Sequence, residues 1–206
     1  MLRMLLILAA FLVADFANSS VSLAGVVYDN GLLPYGNLAT ASDVALNNSV
    51  AESFRFSEHT YVNKIEFLGI YSDGAIEDRF SVEFYNDASG LPGDLLSTPT
   101  ILSSLRTPGG FFEGFHYELQ LSDSLFKAGQ KYWVSITNDS SLTPETDRWS
   151  WASTAVGPKD GSAIVYPPWE AMEFDYAFRL HGFTVPEPAA CMLVVLGAGF
   201  GLAVRR

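Results

Sequence analysis

Histidines, carboxylates and tryptophans are the residues of this 206-residue chain whose types could do chemistry. A nucleophilic hydrolase needs an activated hydroxyl, a histidine base and an orienting acid. His59, His116 and His181 could serve as bases, but no Gly-x-Ser-x-Gly elbow accompanies them. His116 and His181 alternate with apolar neighbours, which predicts solvated side chains on polar strand faces. Glycoside hydrolysis needs two carboxyl groups about 5 to 10 Å apart across a cleft. Glu66, Glu83, Glu118 and Asp175 could converge if their strands were neighbours, yet alternation accounts for each as an outward polar position. The expectation is therefore a protein that is not an enzyme.

No cofactor is expected either. His116-Tyr117-Glu118 puts two metal-capable groups on one strand face, which is fewer than a metal site requires. Calcium is the alternative, because Asn86-Asp87-Ala88-Ser89-Gly90 and Asn138-Asp139-Ser140-Ser141 are rich in loop oxygens. The same residue types form ordinary turns through side-chain to backbone hydrogen bonds, and that is the expected role. The tryptophans offer a different chemistry. Trp149 and Trp151 share one strand face, where they either pack a core or stack on sugar rings; core packing is the expected role, glycan binding the alternative. Trp169 follows Pro167-Pro168, on an expected loop, and stands for either role.

Period-two alternation supplies the elements that position these groups. Phe80, Val82 and Phe84 share one face. So do Phe115, Tyr117, Leu119 and Leu121; Tyr132, Val134 and Ile136; and Phe174, Tyr176, Phe178 and Leu180. Further strands are expected over Ser49–Phe56, Val62–Tyr71, Thr100–Leu105, Arg148–Ser153 and Ala163–Tyr166. Turns are expected at Ser72-Asp73-Gly74, Gly90-Leu91-Pro92-Gly93, Pro108-Gly109-Gly110 and Lys159-Asp160-Gly161. Eight to ten short strands, each with one apolar face, predict an all-β antiparallel β-sandwich, jelly-roll-like, with residues 25–184 as its domain.

The two ends frame that domain. Arg3 precedes the apolar run Met4–Ala14, which is patterned as a signal peptide over residues 1–24, with cleavage after Ala24 or after Ser19. At the other end, Val185-Pro186-Glu187-Pro188 leads into an apolar stretch, Ala189–Val204, and then Arg205-Arg206. A helix can begin only after the prolines. Sixteen residues rise about 24 Å at roughly 1.5 Å each, slightly short of the roughly 30 Å hydrocarbon core. This predicts a marginal transmembrane helix with a cytoplasmic end.

Residues 25–184 keep 9 basic and 21 acidic side chains, a net charge of −12 against −11 for the whole chain. Nucleic acid and anionic lipid surfaces repel such a domain. The single cysteine, Cys191, lies in the tail, so no intramolecular disulfide, cysteine nucleophile or cysteine-ligated zinc is available upstream.

The tail at 185–206 resembles the PEP-CTERM sorting signal of Gram-negative bacteria. The resemblance implies recognition by an exosortase, a membrane transpeptidase-like enzyme, with Val185, Pro186, Glu187, Pro188, Arg205 and Arg206 as the sorting motif. It implies export through an inner-membrane intermediate to the cell surface or the extracellular space, with export machinery as partner. A second resemblance covers roughly Ala51 to Gly182. AESFRF, YVNKIEFLGIYSDG, DRFSVEFYNDASGLPGDLL, AGQKYWVSITND, RWSWAS and FDYAFRLHG look like a recurring core of PEP-CTERM surface proteins. Glu52-Ser53 stands where two acidic residues are usual, which weakens any metal role there. The implied function is a non-enzymatic cell-surface or extracellular-matrix protein associated with exopolysaccharide. A carbohydrate-binding, lectin-like module is the alternative, and an exported glycan hydrolase the remaining one.

Overall fold

The computed structural model describes residues 24–72, 77–110, 113–142, 148–155, 162–165, 168–172 and 174–185. The expected signal-peptide core and the helix at 189–204 lie outside the described residues. Among those described, no helix is long and apolar enough to cross a membrane.

All of the paired strands are antiparallel. They are β1 (Gly25–Asp29), β2 (Pro34–Ala41), β3 (Ser49–Arg55), β4 (His59–Tyr71), β5 (Phe80–Ala88), β6 (Leu91–Ser97), β7 (Ile101–Pro108), β8 (Phe115–Phe126), β9 (Lys131–Asn138), β10 (Trp149–Thr154), β11 (Ser162–Val165), β12 (Trp169–Met172) and β13 (Phe178–Val185). The first sheet, A, runs β1-β13-β4-β10-β2; β8 lies on the other edge of β4 with β7 outside it. The second sheet, B, runs β12-β11-β3-β9-β5-β6.

One apolar cluster draws on both sheets. Val50 and Phe54 of β3, Val82 and Phe84 of β5, and Tyr132, Val134 and Ile136 of β9 meet Ile65 and Phe67 of β4, Tyr117 and Leu119 of β8, and Phe178 and Leu180 of β13. These are the faces that alternation predicts. Ring packing is dense: Phe67 stacks on Tyr117 at 5.0 Å, and Phe54 meets Phe126 edge-on at 5.2 Å. Gly69 has a steric role here. A Cβ on it would come within 2.4 Å of the Trp149 indole, so glycine is what allows the ring to lie against β4.

Several expected boundaries move. The Gly90-Leu91-Pro92-Gly93 turn shrinks to Ser89-Gly90, both with positive φ, as a tight hairpin requires, and Leu91 already opens β6. Pro92 is tolerated because β6 is the edge of sheet B. The strand expected from Phe174 begins instead at Phe178. Upstream of it the chain pairs with β10 instead, through Thr154 N–H to the Asp175 carbonyl, Ala177 N–H to the Ala152 carbonyl and a single Ser153–Tyr176 bridge, while the Glu52 carboxyl accepts the Tyr176 N–H at 2.9 Å. Trp169, expected on a loop, begins β12.

Candidate functional site

The outer face of sheet B concentrates the groups that could hold a ligand. Alternation along β9 sends Tyr132, Val134 and Ile136 inward, so Lys131, Trp133, Ser135 and Thr137 project outward. β5 adds Glu83 and Tyr85 beside them, and β3 adds Ala51 and Ser53. β12 and β6 stand at opposite ends of the hydrogen-bonded order, yet they come against each other, so the sheet curls around this face. Trp169 of β12 thereby meets Tyr85 edge-on, centroids 5.8 Å apart, and joins Trp133, Ala51 and Leu91 in one apolar group.

Polar partners fix these rings. Trp133 Nε1 donates to Asp87 Oδ1 at 2.9 Å, and Lys131 Nζ lies 4.7 Å from the indole centroid. The Tyr85 hydroxyl donates to Glu83 in a short bond; burial first, and then Glu83, raises its pKa above the ordinary value. Trp169 is half-buried, while Trp133 is almost fully enclosed. Aromatic edges beside carboxylates and an ammonium suit a polyhydroxylated ligand, which offers C–H surfaces to rings and hydroxyls to charged groups.

The other tryptophans raised as glycan residues sit elsewhere. Trp149 and Trp151 are both 0 % exposed in the core between the sheets. Trp149 packs edge-on against Phe67 and Phe80, and Trp151 Nε1 donates to the Ala177 carbonyl. Neither ring has a free face for a sugar, so the glycan alternative is corrected for these two. Of the sorting motif, Val185 ends β13; Pro186, Glu187, Pro188, Arg205 and Arg206 lie outside the described residues.

The outer face of sheet A gathers charge instead. Glu66 and Glu118 are directly paired across β4 and β8, and Lys64 bridges them at 2.7 and 3.1 Å. His181 Nε2 lies 2.8 Å from Glu66 Oε1, and His116 Nε2 lies 3.8 Å from Oε2. The expectation of a solvated His181 is overturned: it is 9 % exposed, and burial depresses its pKa more than Glu66 raises it. Glu83 and Asp175 are not part of this cluster, so the four candidate carboxylates do not converge. A shallow cavity of about 320 Å³, lined by Leu32, Leu68, Thr107, Pro108 and His116, adjoins it.

In the two acidic loops, side-chain oxygens already accept backbone N–H groups, those of Asp87 and Asp139 within their own turns and that of Asn138 from the chain entering β5. Asp87 Oδ2 accepts Gly90 N–H, Asp139 Oδ1 accepts Ser141 N–H, and Asn138 Oδ1 accepts Arg79 N–H. Among the described residues, no three His, Cys, Asp or Glu side chains are grouped to hold a metal ion.

Sequence reasoning missed the role of Glu52. It points between the sheets, 1 % exposed, and accepts backbone N–H groups of Ser53 and Tyr176. Burial pushes its carboxyl up to about 8. The signal was present, because alternation puts residue 52 on the face of Val50 and Phe54.

No protein-family model matches the chain, and no curated protein matches it significantly. Among solved structures, it is similar to the cysteine protease and lectin-like domains of Cwp84, a surface layer associated protein of Clostridium difficile. That similarity has 13 % identity and a TM-score of 0.49, over 68 % of this chain and 33 % of the other. It is also similar to SACOL2612, a CocE/NonD family hydrolase from Staphylococcus aureus, at 14 % identity and a TM-score of 0.27, over 66 % and 30 %. The chain thus spans about a third of each of these proteins, and at these scores neither likeness bears on activity.

Proposed function

We propose that the chain is a non-enzymatic exported protein of the cell surface or extracellular matrix. In this reading its two sheets form a jelly-roll-like sandwich, and the outer face of sheet B associates with exopolysaccharide. One observation carries the association: half-buried Trp169 stands edge-on to Tyr85 beside Trp133, with Glu83, Asp87 and Lys131 around them. Against catalysis, Glu66 and Glu118 share Lys64 between them on a sheet face, an arrangement that neutralises the pair rather than setting one acid against one base.

Delivery rests on the two ends of the sequence. The N-terminal apolar run acts as a signal peptide, and Val185-Pro186-Glu187-Pro188 with the apolar tail and Arg205-Arg206 acts as an exosortase-type sorting signal. The inner membrane is an intermediate location. Replacing Pro186-Glu187-Pro188 by three alanines should leave insertion intact and block maturation. Mass spectrometry of the surface-exposed wild-type protein reads this out, and an intact C-terminus at Arg206 would refute processing.

The binding arm is tested with the full chain on a polysaccharide panel, with and without calcium. The expected result is retention without calcium, lost in Trp169→Ala, and no release of reducing ends. Retention that survives Trp169→Ala overturns the site; glycan turnover overturns the non-enzymatic reading. The second reading, a lectin-like module for one defined glycan, is favoured by the same ring pair. It predicts saturable binding that a single oligosaccharide competes away.

A further inference from the structure

We propose that the outer face of sheet B also holds a covered subsite, in which Ser53 Oγ and Ser135 Oγ hydrogen-bond the hydroxyls of a neutral sugar once β12 moves off β6. This inference rests on the glycan reading above and extends it from the half-exposed rings to the floor beneath them.

Ser53 and Ser135 project from β3 and β9 on the side away from the core. Ser53 is paired with Trp133, and Ser135 lies between Ala51 and Glu83. An outward serine on a sheet is ordinarily hydrated. These two are 0 % and 1 % exposed, and neither hydroxyl has a hydrogen-bond partner. Buried polar atoms in folded proteins are nearly always paired, and an unpaired one is costly to keep. Ala51, on the same face, shows that a small apolar side chain fits equally well there. Two unpaired hydroxyls beside Trp133 therefore mark a floor whose partners arrive with a ligand.

The cover is built to leave. β12 has four residues and a ladder to β11 alone; its approach to β6 involves no strand pairing. Trp169, at its first position, is the ring that meets Tyr85. A shift of β12 lifts Trp169 off Trp133 and opens the floor between them, while the Trp169 ring remains at its edge to stack on the entering sugar. The ligand class follows from charge. Glu83 and Asp87 outnumber Lys131 around the floor and the chain carries a net −11, so a uronate polymer is repelled while a neutral, hydroxyl-rich sugar is not.

The test compares wild type, the double variant Ser53→Ala/Ser135→Ala, and Trp169→Ala, each as the full chain. Probes are oligosaccharides of a neutral glucan, mannan and galactan, with a polyuronate as the acidic arm. The proposal expects the double variant to bind the neutral probe about tenfold more weakly or worse, with a melting temperature equal to or above wild type. It also expects that probe to increase acrylamide quenching of tryptophan fluorescence as Trp133 is uncovered. If the double variant binds like wild type while Trp169→Ala does not, the ring-pair reading stands and the covered subsite falls. A lowered melting temperature in the double variant would make the hydroxyls structural and overturn the subsite. Tighter binding of the polyuronate overturns the ligand class. Failure of wild type to bind any probe overturns the parent reading and this one together.

Discussion

The two sheets present opposite solutions on their outer faces. Sheet A arranges Lys64, Glu66, Glu118, His116 and His181 so that charges answer one another across β4, β8 and β13. Sheet B encloses Trp133 and Ala51 against Trp169 of its own terminal strand, with Ser53 and Ser135 buried beside them, as if it had begun a second interior. A face whose charges lie within ion-pair reach of one another gains less from a ligand, even with His116 Nε2 and His181 Nε2 making no hydrogen bond. A face that buries rings and leaves hydroxyls unpaired has interactions still to make.

The largest effect that sharpens this contrast is expected from Trp133→Ala. If the outer face of sheet B behaves as an interior, the loss should be about 3 to 5 kcal/mol, like that of Trp149→Ala in the shared core. Urea denaturation of both variants reads this, and a loss under about 1 kcal/mol for Trp133→Ala would break the comparison.

Glu52, between the sheets, should produce a pH effect of similar scale. Its folded pKa of about 8 exceeds the ordinary 4.5, so the folded state holds a proton that the unfolded state releases. This contribution to stability should therefore be fully present below pH 4.5 and be lost as pH rises to 8, by up to roughly 4 kcal/mol. Denaturation midpoints across that window should slope downward in wild type and flatten in Glu52→Gln. Equal slopes would remove Glu52 as the cause.

On sheet A a smaller effect is expected. Glu66→Gln should cost about 1 kcal/mol, because Lys64, Glu118 and His116 remain partly solvated and the amide keeps an acceptor for His181. Glu66 raises the His181 pKa, so the variant should titrate His181 at lower pH by NMR, and an unchanged midpoint would deny the contact. Smallest of all, Trp169→Ala should change stability by under about 1 kcal/mol, as its ring is half-exposed at a short edge strand. A cost near that of Trp133→Ala would show β12 to be an integral wall.

Much of the fold was legible because alternation reports which way a side chain points. Phe80, Val82 and Phe84 sit in the core for that reason, and Trp133, between inward Tyr132 and Val134, projects from the opposite face. Alternation does not report what covers the far side. The enclosure of Trp133 depends on β12 coming against β6, a relation between strands about seventy residues apart that no local pattern encodes. Glu52 illustrates the same limit: its face was readable, but its partner Tyr176 is 124 residues away. Strands β1 and β2 escaped because Val26, Val27 and Tyr28 run on without alternation in β1, and Pro34 and Gly36 interrupt it in β2.

The pairing of β1 with β13 sets how the protein bears a pull. Gly25 stands opposite Gly182, so the first and last strands leave one end of sheet A side by side. β13 is held on both flanks, by β1 and along its whole length by β4, and the chain continues directly from Val185 into the tail. A tether attached to that tail would load β13 along its own axis, so the flanking hydrogen bonds would share the force and fail together rather than one after another. Mechanical rupture should thus require shearing the strand out of the sheet. That geometry suits a domain held against flow at one end.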